Sequence, residues 1–329
     1  MDSDALKNAS ERPLKGRFAP TPSGRMHLGN AFSCLMAWLS VRAGNGRMVM
    51  RIEDLDPRAQ SREAARLLMD DLRWLGLDWD EGPYYQSERG DLYAQALARL
   101  ADQGLTYPCF CSRAELHAAT APHASDGTYV YQGTCRGLTP EQVAERSLRR
   151  PPATRIAVPA AGDDEGEVSL VDLAYGPQRE TLARECGDFL LRRSDGVVAY
   201  QLAVVVDDGE MGVTQVVRGR DLLGSAARQT WLAHRLGYEA PTFGHVPLLV
   251  APDGRRLSKR DRDLDLGVIR ERLGSSDRVV SLLGQWAGLC EPGEVVRADQ
   301  LVEHFSWDAV QTHLSDIVVT DECIAQLSL

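Results

Sequence analysis

Apolar residues in this chain alternate between short runs and helical spacings, a pattern that predicts strands and helices in succession. Residues 1–15 are polar without a period and are expected to form a loose tail. Gly16-Arg17-Phe18-Ala19-Pro20 reads as a short strand closed by proline, and Thr21-Pro22-Ser23-Gly24 is turn chemistry. From Asn30 to Val41 the apolar positions follow a helical face, which Gly44-Asn45-Gly46 ends. Arg47 to Asp54 then reads as a buried strand. Strand, helix, strand at this spacing predicts a βαβ unit and the start of a parallel sheet. Further helices are predicted near 61–75, with Ser61 as N-cap, and 90–103.

The character changes after Tyr107. Residues 107–137 are rich in Cys, His, Gly and Tyr, and residues 138–185 mix Pro and Arg pairs with an acidic, Gly-rich loop. An insertion with its own structure is expected there, ending near Cys186. The α/β pattern resumes with the apolar run Val197 to Val206, which leads into Asp207-Asp208. A strand over 212–218, a helix over 223–236 and a strand over 244–250 follow. Amphipathic helices are predicted near 267–274 and 278–288. The expected division is therefore a tail (1–15), a first half of one α/β domain (16–106), an insertion (107–185), the second half (186–262) and a helical C-terminal region (263–329).

Composition narrows the class of protein. At 329 residues two packed units, or one large domain with an insertion, are expected. The N-terminus is acidic with no apolar core behind it, and no run is long enough to span a bilayer. The expected setting is the cytoplasm, without membrane contact and as a monomer. A net charge of −10 excludes a protein that coats nucleic acid unspecifically, but leaves room for a specific RNA held by a local basic surface. The seven cysteines are odd in number and mostly scattered, so no disulfide framework is expected.

Three segments carry chemistry. In Phe18 to Asn30 a strand, a tight turn and a helix N-terminus succeed one another, and free N–H groups with the helix dipole favour phosphate there. Gly29 permits close backbone approach, and His27 can donate to a phosphate oxygen. The second segment, Gly254 to Arg260, is a lysine-bearing loop after a strand, suited to a pyrophosphate leaving group. Singly, a helix-capping histidine and a solvated basic loop explain them; jointly, at two strand edges, they point to ATP. The third segment is Cys109-Phe110-Cys111 with Cys135, three soft ligands for tetrahedral zinc. Buried free thiols are the alternative. His117, His123 and Tyr131 are all in reach as the fourth ligand, imidazole being the usual choice chemically.

The first two segments resemble the HIGH and KMSKS signatures of class I aminoacyl-tRNA synthetases. Arg17 to Gly24, Arg51-Ile52-Glu53-Asp54-Leu55-Asp56 and the stretch from Tyr200 through Leu222 are similar to the glutamyl and glutaminyl branch. The resemblance covers about 16 to 262. It implies a Rossmann-type α/β parallel sheet, an inserted zinc-containing subdomain and a short helical C-terminal region. It further implies that His27 and Lys259 are catalytic, and that His27, Gly29, Asn30, Ser258 and Lys259 hold ATP with Mg²⁺. Arg17, Ala19, Ser23, Glu53, Tyr200 and Arg218 would form the glutamate pocket. Tyr131 would join Cys109, Cys111 and Cys135 on zinc, since Tyr-x-x-x-Cys is how this site reads in the short glutamyl-synthetase paralogues. Two departures stand out: Asn30 replaces the final histidine of the first signature, and the second reads Arg-Leu-Ser-Lys-Arg. Asparagine at position 30 is expected to serve as donor and N-cap.

Few residues follow the second signature, fewer than an anticodon-gripping helical region needs. The chain accordingly resembles the truncated paralogues, which activate glutamate without tRNA and esterify it onto the queuosine base at the wobble position of tRNA(Asp). The other expectations are a short glutamyl-tRNA synthetase charging tRNA(Glu), or an idle paralogue that only binds tRNA or glutamate.

Overall fold

The computed structural model describes residues 12–112, 115, 130–131, 133–255 and 265–326. Strand β1 (Lys15–Phe18) feeds helix α1 (Leu28–Ala43), and β2 (Arg47–Ile52) returns parallel to β1 with Arg17 opposite Val49. Helix α1 begins two residues before the predicted start and is buried on most sides, with Leu28, Phe32, Leu35, Met36 and Leu39 enclosed. Asn45 closes the turn after it at φ 53°, a left-handed conformation that asparagine tolerates. Helix α2 (Arg62–Trp74) is capped as predicted, the Ser61 hydroxyl accepting from Ala64 N at 3.1 Å. Strand β3 (Glu81–Tyr85) adds a third parallel strand beside β2, and α3 (Gly90–Asp102) follows.

The middle of the chain forms β4 (Thr106–Cys109), α4 (Pro140–Ser147), β5 (Ala153–Ile156), β6 (Glu167–Asp172), β7 (Gly176–Thr181) and β8 (Phe189–Arg192). A capping box between Thr139 and Gln142 starts α4. Strands β4, β5 and β8 make a small antiparallel sheet, while β6 and β7 form a hairpin.

The apolar run before Asp207 becomes helix α5 (Tyr200–Glu210). Strand β9 (Gln215–Gly219), helix α6 (Ala226–Arg235) and strand β10 (Thr242–Val246) then build a second parallel pair. Its order is β7-β6-β10-β9, and β1 abuts β9, where Thr214 N donates to Lys15 O at 2.8 Å. Strand pairing thus crosses position 185: β6, before it, joins β10, and β8, after it, pairs with β5.

Strand β11 (Leu249–Val250) precedes helices α7 (Leu266–Leu273) and α8 (Asp277–Trp286), and β12 (Ile317–Val318) pairs back onto β11. Residues of α8 join α1 in one core, with Val279, Val280 and Leu283 against the Leu35 and Leu39 cluster. Trp307 lies on Gly244, where a Cβ would come within 2.4 Å of the indole, and its N–H donates to Ser40 Oγ at 3.1 Å. Among the described residues no helix is long and apolar enough to cross a membrane.

One wholly buried cation joins the two halves of the sheet. Arg51, on β2, donates to Asp208 Oδ1 at 2.6 Å and Glu53 Oε1 at 3.2 Å, with Asp207 Oδ2 at 3.8 Å. Burial opposes its charge, but Asp208, Glu53 and Asp207 outweigh that cost and its pKa is raised. Asp207 in turn accepts from Arg89, Gln86 and Tyr93, fastening α5 to α3. An Arg51→Met variant keeps the bulk and leaves buried carboxylates uncompensated. It should lose about 3–5 kcal/mol of stability, seen as a lower urea midpoint at unchanged slope.

Candidate active site

An open cavity of about 540 Å³ lies where β1, the N-terminus of α1, β2, α5 and β9 converge. Arg17, Ala19, Ser23, His27, Gly29, Asn30, Glu53, Tyr200 and Arg218, singled out in the sequence, all line it. Ser258 and Lys259 lie outside the described residues.

The first segment folds as a helix entrance, with one correction. Asn30 is the third residue of α1, and the N-cap position belongs to His27. The chain turns helical as soon as Leu28 can be buried, which leaves Asn30 inside the first turn. The His27 side chain makes no capping hydrogen bond, and its buried Nδ1 has no hydrogen-bond partner among the described residues. A capping histidine therefore does not account for it. With no acidic residue in the first turn, the N–H groups and dipole of α1 are open to an anion.

Behind this entrance lie the charged groups. Arg17 donates to Val217 O at 3.1 Å and has Asp208 at 3.8 Å. Burial lifts the Glu53 carboxyl above its usual range, Arg51 and Arg17 only partly offsetting it. Although the open cavity leaves 39% of Tyr200 accessible, the surrounding protein raises its phenol as well. Arg218 is buried, and that burial pulls its pKa down. Its guanidinium donates to His245 Nε2 (3.0 Å), Gln229 Oε1 (2.8 Å) and Leu222 O (3.0 Å). His245 rests on Asp172, with Nδ1 to Oδ2 at 2.6 Å. The sequence analysis missed Asp172, His245 and Gln229, as it did Arg51. A buried His in Gly-His-Val and an Asp ending a strand carry no motif, and only the pairing of β6 with β10 brings the two together. For Arg51 two signals were available: a charge inside a run that reads as a buried strand, and its place at the head of the 51–56 match.

The thiol cluster is separate. The sulfurs of Cys109, Cys111 and Cys135 lie within 4.8 Å of one another. The Tyr131 hydroxyl is 3.5 Å from Cys109 Sγ and 3.3 Å from Cys111 Sγ, and it accepts from Cys135 N at 2.9 Å. Burial works against a thiolate at Cys109, but its hydrogen bonds with Tyr131, the Cys111 backbone and Arg155 prevail and lower its pKa. Burial pushes Cys111 up to about 11. Three soft donors and a phenol converging on one point suit a tetrahedral metal such as zinc. His117 and His123 lie outside the described residues.

Residues 13–283 match the model of the catalytic domain of class I tRNA synthetases (E and Q). The chain is 49% identical to a glutamyl-Q tRNA(Asp) synthetase of Symbiobacterium thermophilum, across 96% of this chain and 98% of that relative. It is 45% identical to the protein of that name in Nitratidesulfovibrio vulgaris, across 87% and 89%. Among solved structures it is similar to a glutamate tRNA ligase from Elizabethkingia meningosepticum in complex with its amino acid, with a TM-score of 0.78 and 26% identity. That match covers 96% of this chain and 69% of the ligase. The chain belongs to the glutamate and glutamine branch of the class I tRNA synthetases, an enzyme family of ligases, and within it to the glutamyl-Q tRNA(Asp) synthetases.

Proposed function

We propose that the cavity activates glutamate with ATP in the absence of tRNA, and then passes the glutamyl group to the queuosine base of tRNA(Asp). The observation that carries this reading is the meeting of two arginines, one partly buried glutamate and a tyrosine at the open N-terminus of α1. A dicarboxylic amino acid needs two cations and one anion. Arg17, with Ser23, takes one carboxylate and Arg218, beside Tyr200, the other, guanidinium forks matching carboxylate geometry. Glu53 takes the α-ammonium, and Ala19 contributes a small wall. Kinship along nearly the whole length of a glutamyl-Q tRNA(Asp) synthetase supports the acceptor.

In the first half-reaction an oxygen of glutamate's α-carboxylate attacks the α-phosphorus of ATP. The bond to the bridging oxygen breaks and pyrophosphate leaves. His27, Gly29 and Asn30 at the helix entrance, with Ser258 and Lys259 of the second segment, bear the phosphate charge that ATP brings with Mg²⁺. In the second, a hydroxyl of queuosine's cyclopentenediol attacks the adenylate carbonyl and AMP departs. No side-chain nucleophile is required, so positioning and electrostatics do the work. A zinc ion held by Cys109, Cys111, Cys135 and Tyr131 would be structural, fastening the end of β4 to the segment around Cys135.

Glutamate-dependent exchange of pyrophosphate into ATP should proceed without tRNA, and its absence defeats the reading. Labelled glutamate should then appear on tRNA(Asp) only when queuosine is present; transfer to unmodified tRNA(Glu) instead would reassign the acceptor. Lys259→Ala should slow exchange by about 10²–10³ through loss of a transition-state charge partner, with a smaller effect on glutamate binding. Equal losses would remove Lys259 from that role.

A pH dependence follows from Glu53. Its pKa is raised, and only its ionised form pairs with an ammonium. The KM for glutamate should therefore climb as pH falls through that raised value, above the range where surface carboxylates titrate. Glu53→Gln should raise KM throughout and flatten this acid limb; an unchanged limb in the variant would assign it to another group. For the metal, elemental analysis should find one zinc per chain, lost in Cys135→Ala. A folded wild-type protein free of metal refutes the site.

A further inference from the structure

Arg218 owes its orientation to His245 and Gln229, which do not line the cavity, and to the Leu222 carbonyl. Three of a guanidinium's five N–H groups go to His245 Nε2, Gln229 Oε1 and Leu222 O, so one N–H on each terminal nitrogen is left uncommitted to these acceptors. The first contact is the informative one. Arginine Nε–H can only donate, so His245 Nε2 must present its lone pair. A carboxylate can only accept, so the His245 Nδ1 that faces Asp172 Oδ2 at 2.6 Å must carry the hydrogen. Set against the Leu222 carbonyl, which also reaches the ring, these two neighbours select one state, neutral and with its hydrogen on Nδ1.

The surroundings hold that state. His245 and Asp172 are both enclosed, and Phe243 stacks on the imidazole at 6.1 Å and 17° while also lying under the Arg218 guanidinium at 5.1 Å. Asp172 is fixed through its other oxygen, Oδ1, which accepts from Ala174 N (3.0 Å), Tyr175 N (2.9 Å) and His245 N (3.3 Å). Burial also lowers the His245 pKa, in line with a ring that adds no second positive charge behind Arg218.

The geometry points to Asp172 and His245 as a positioning relay: Asp172 fixes the tautomer of His245, and His245 fixes the plane in which Arg218 meets the substrate's carboxylate. This inference rests on the reading of Arg218 as a glutamate ligand. Neither residue touches substrate, so both act through Arg218, and their loss should weaken glutamate without weakening ATP.

Asp172→Asn is the sharpest probe. Its amide oxygen can keep the three backbone bonds of Oδ1, while its NH₂ replaces Oδ2 and donates to Nδ1. That inverts the tautomer and turns Nε2 into a donor facing another donor. In tRNA-free exchange, Asp172→Asn and His245→Leu should each raise the KM for glutamate by roughly tenfold, the loss of one hydrogen bond to a charged group. The KM for ATP should stay within about twofold in both, since neither touches the phosphate entrance. His245→Gln can place its amide oxygen near the Nε2 position and should recover most of the glutamate affinity. Folded variants with unchanged KM for glutamate, or with both KM values raised alike, overturn the relay. Long-range ¹⁵N–¹H spectra give a second reading that needs no activity, the His245 signals being identified by their loss in His245→Gln. Wild-type His245 should carry hydrogen on Nδ1 with Nε2 bare, and a hydrogen on Nε2 overturns the relay outright. A wild type silent in exchange would defeat the glutamate reading, while the spectra would still decide the tautomer.

Discussion

Arg51 sits without exposed surface between strand β2 and helix α5, and three carboxylates converge on it. A buried guanidinium is tolerable only where its charge and donors are met, so its neighbours are fixed as firmly as it is. Glu53 follows two residues later and so shares its face of the strand, which carries that carboxylate to the cavity. Asp207 and Asp208 are successive on α5 and point apart, one to Arg89 and Tyr93, the other to Arg51 and Arg17. Of the charged side chains that line the cavity, Arg17, Arg25 and Arg218 stand against Glu53 and Asp221. Within that cluster the cations exceed the anions, an imbalance that suits a substrate with more carboxylates than ammonium groups.

Much of this arrangement was legible in the sequence. The β1, α1, β2 succession announced itself because α1 and β2 are long enough for their periods to show, and Pro20, Gly44 and Gly46 mark the bounds of all three. The small antiparallel sheet did not. Its strand β4 is four residues with Pro108 inside, and its partners come more than forty residues later. Helix α5 illustrates a different limit: its apolar run is continuous because α3, α6 and the neighbouring strands cover it on nearly every side. A segment enclosed all round loses the period that tells helix from strand. Tyr131 was reached through resemblance, not chemistry; its hydroxyl lies 3.5 Å from Cys109 Sγ and 3.3 Å from Cys111 Sγ.

What long-range pairing decides, local pattern cannot announce. His245, Asp172 and Gln229 stand on β10, β6 and α6, and each is an ordinary polar residue in its own segment. They acquire a role only because three elements pack at one point behind Arg218. The C-terminal region is similar. Trp307 reaches Ser40 and Gly244, and Asp316 receives both Arg220 and Leu248 N. These contacts brace α1 and the strand ends.

The same region also bonds to the helix entrance. His27 bridges Asp265 in antiparallel fashion, and Leu266 N donates to Met26 O at 2.9 Å. Asp265 then caps α7 by accepting from Gly267 N at 2.8 Å, while Arg25 pairs with the buried Asp71. On the other side, Ala251 N and Arg255 O close a turn at 2.8 Å. The lysine-bearing segment is thus anchored at Arg255 and Asp265, and the second anchor is bonded to the helix entrance itself. A backbone bridge therefore joins the helix entrance to the residue that follows the lysine-bearing segment.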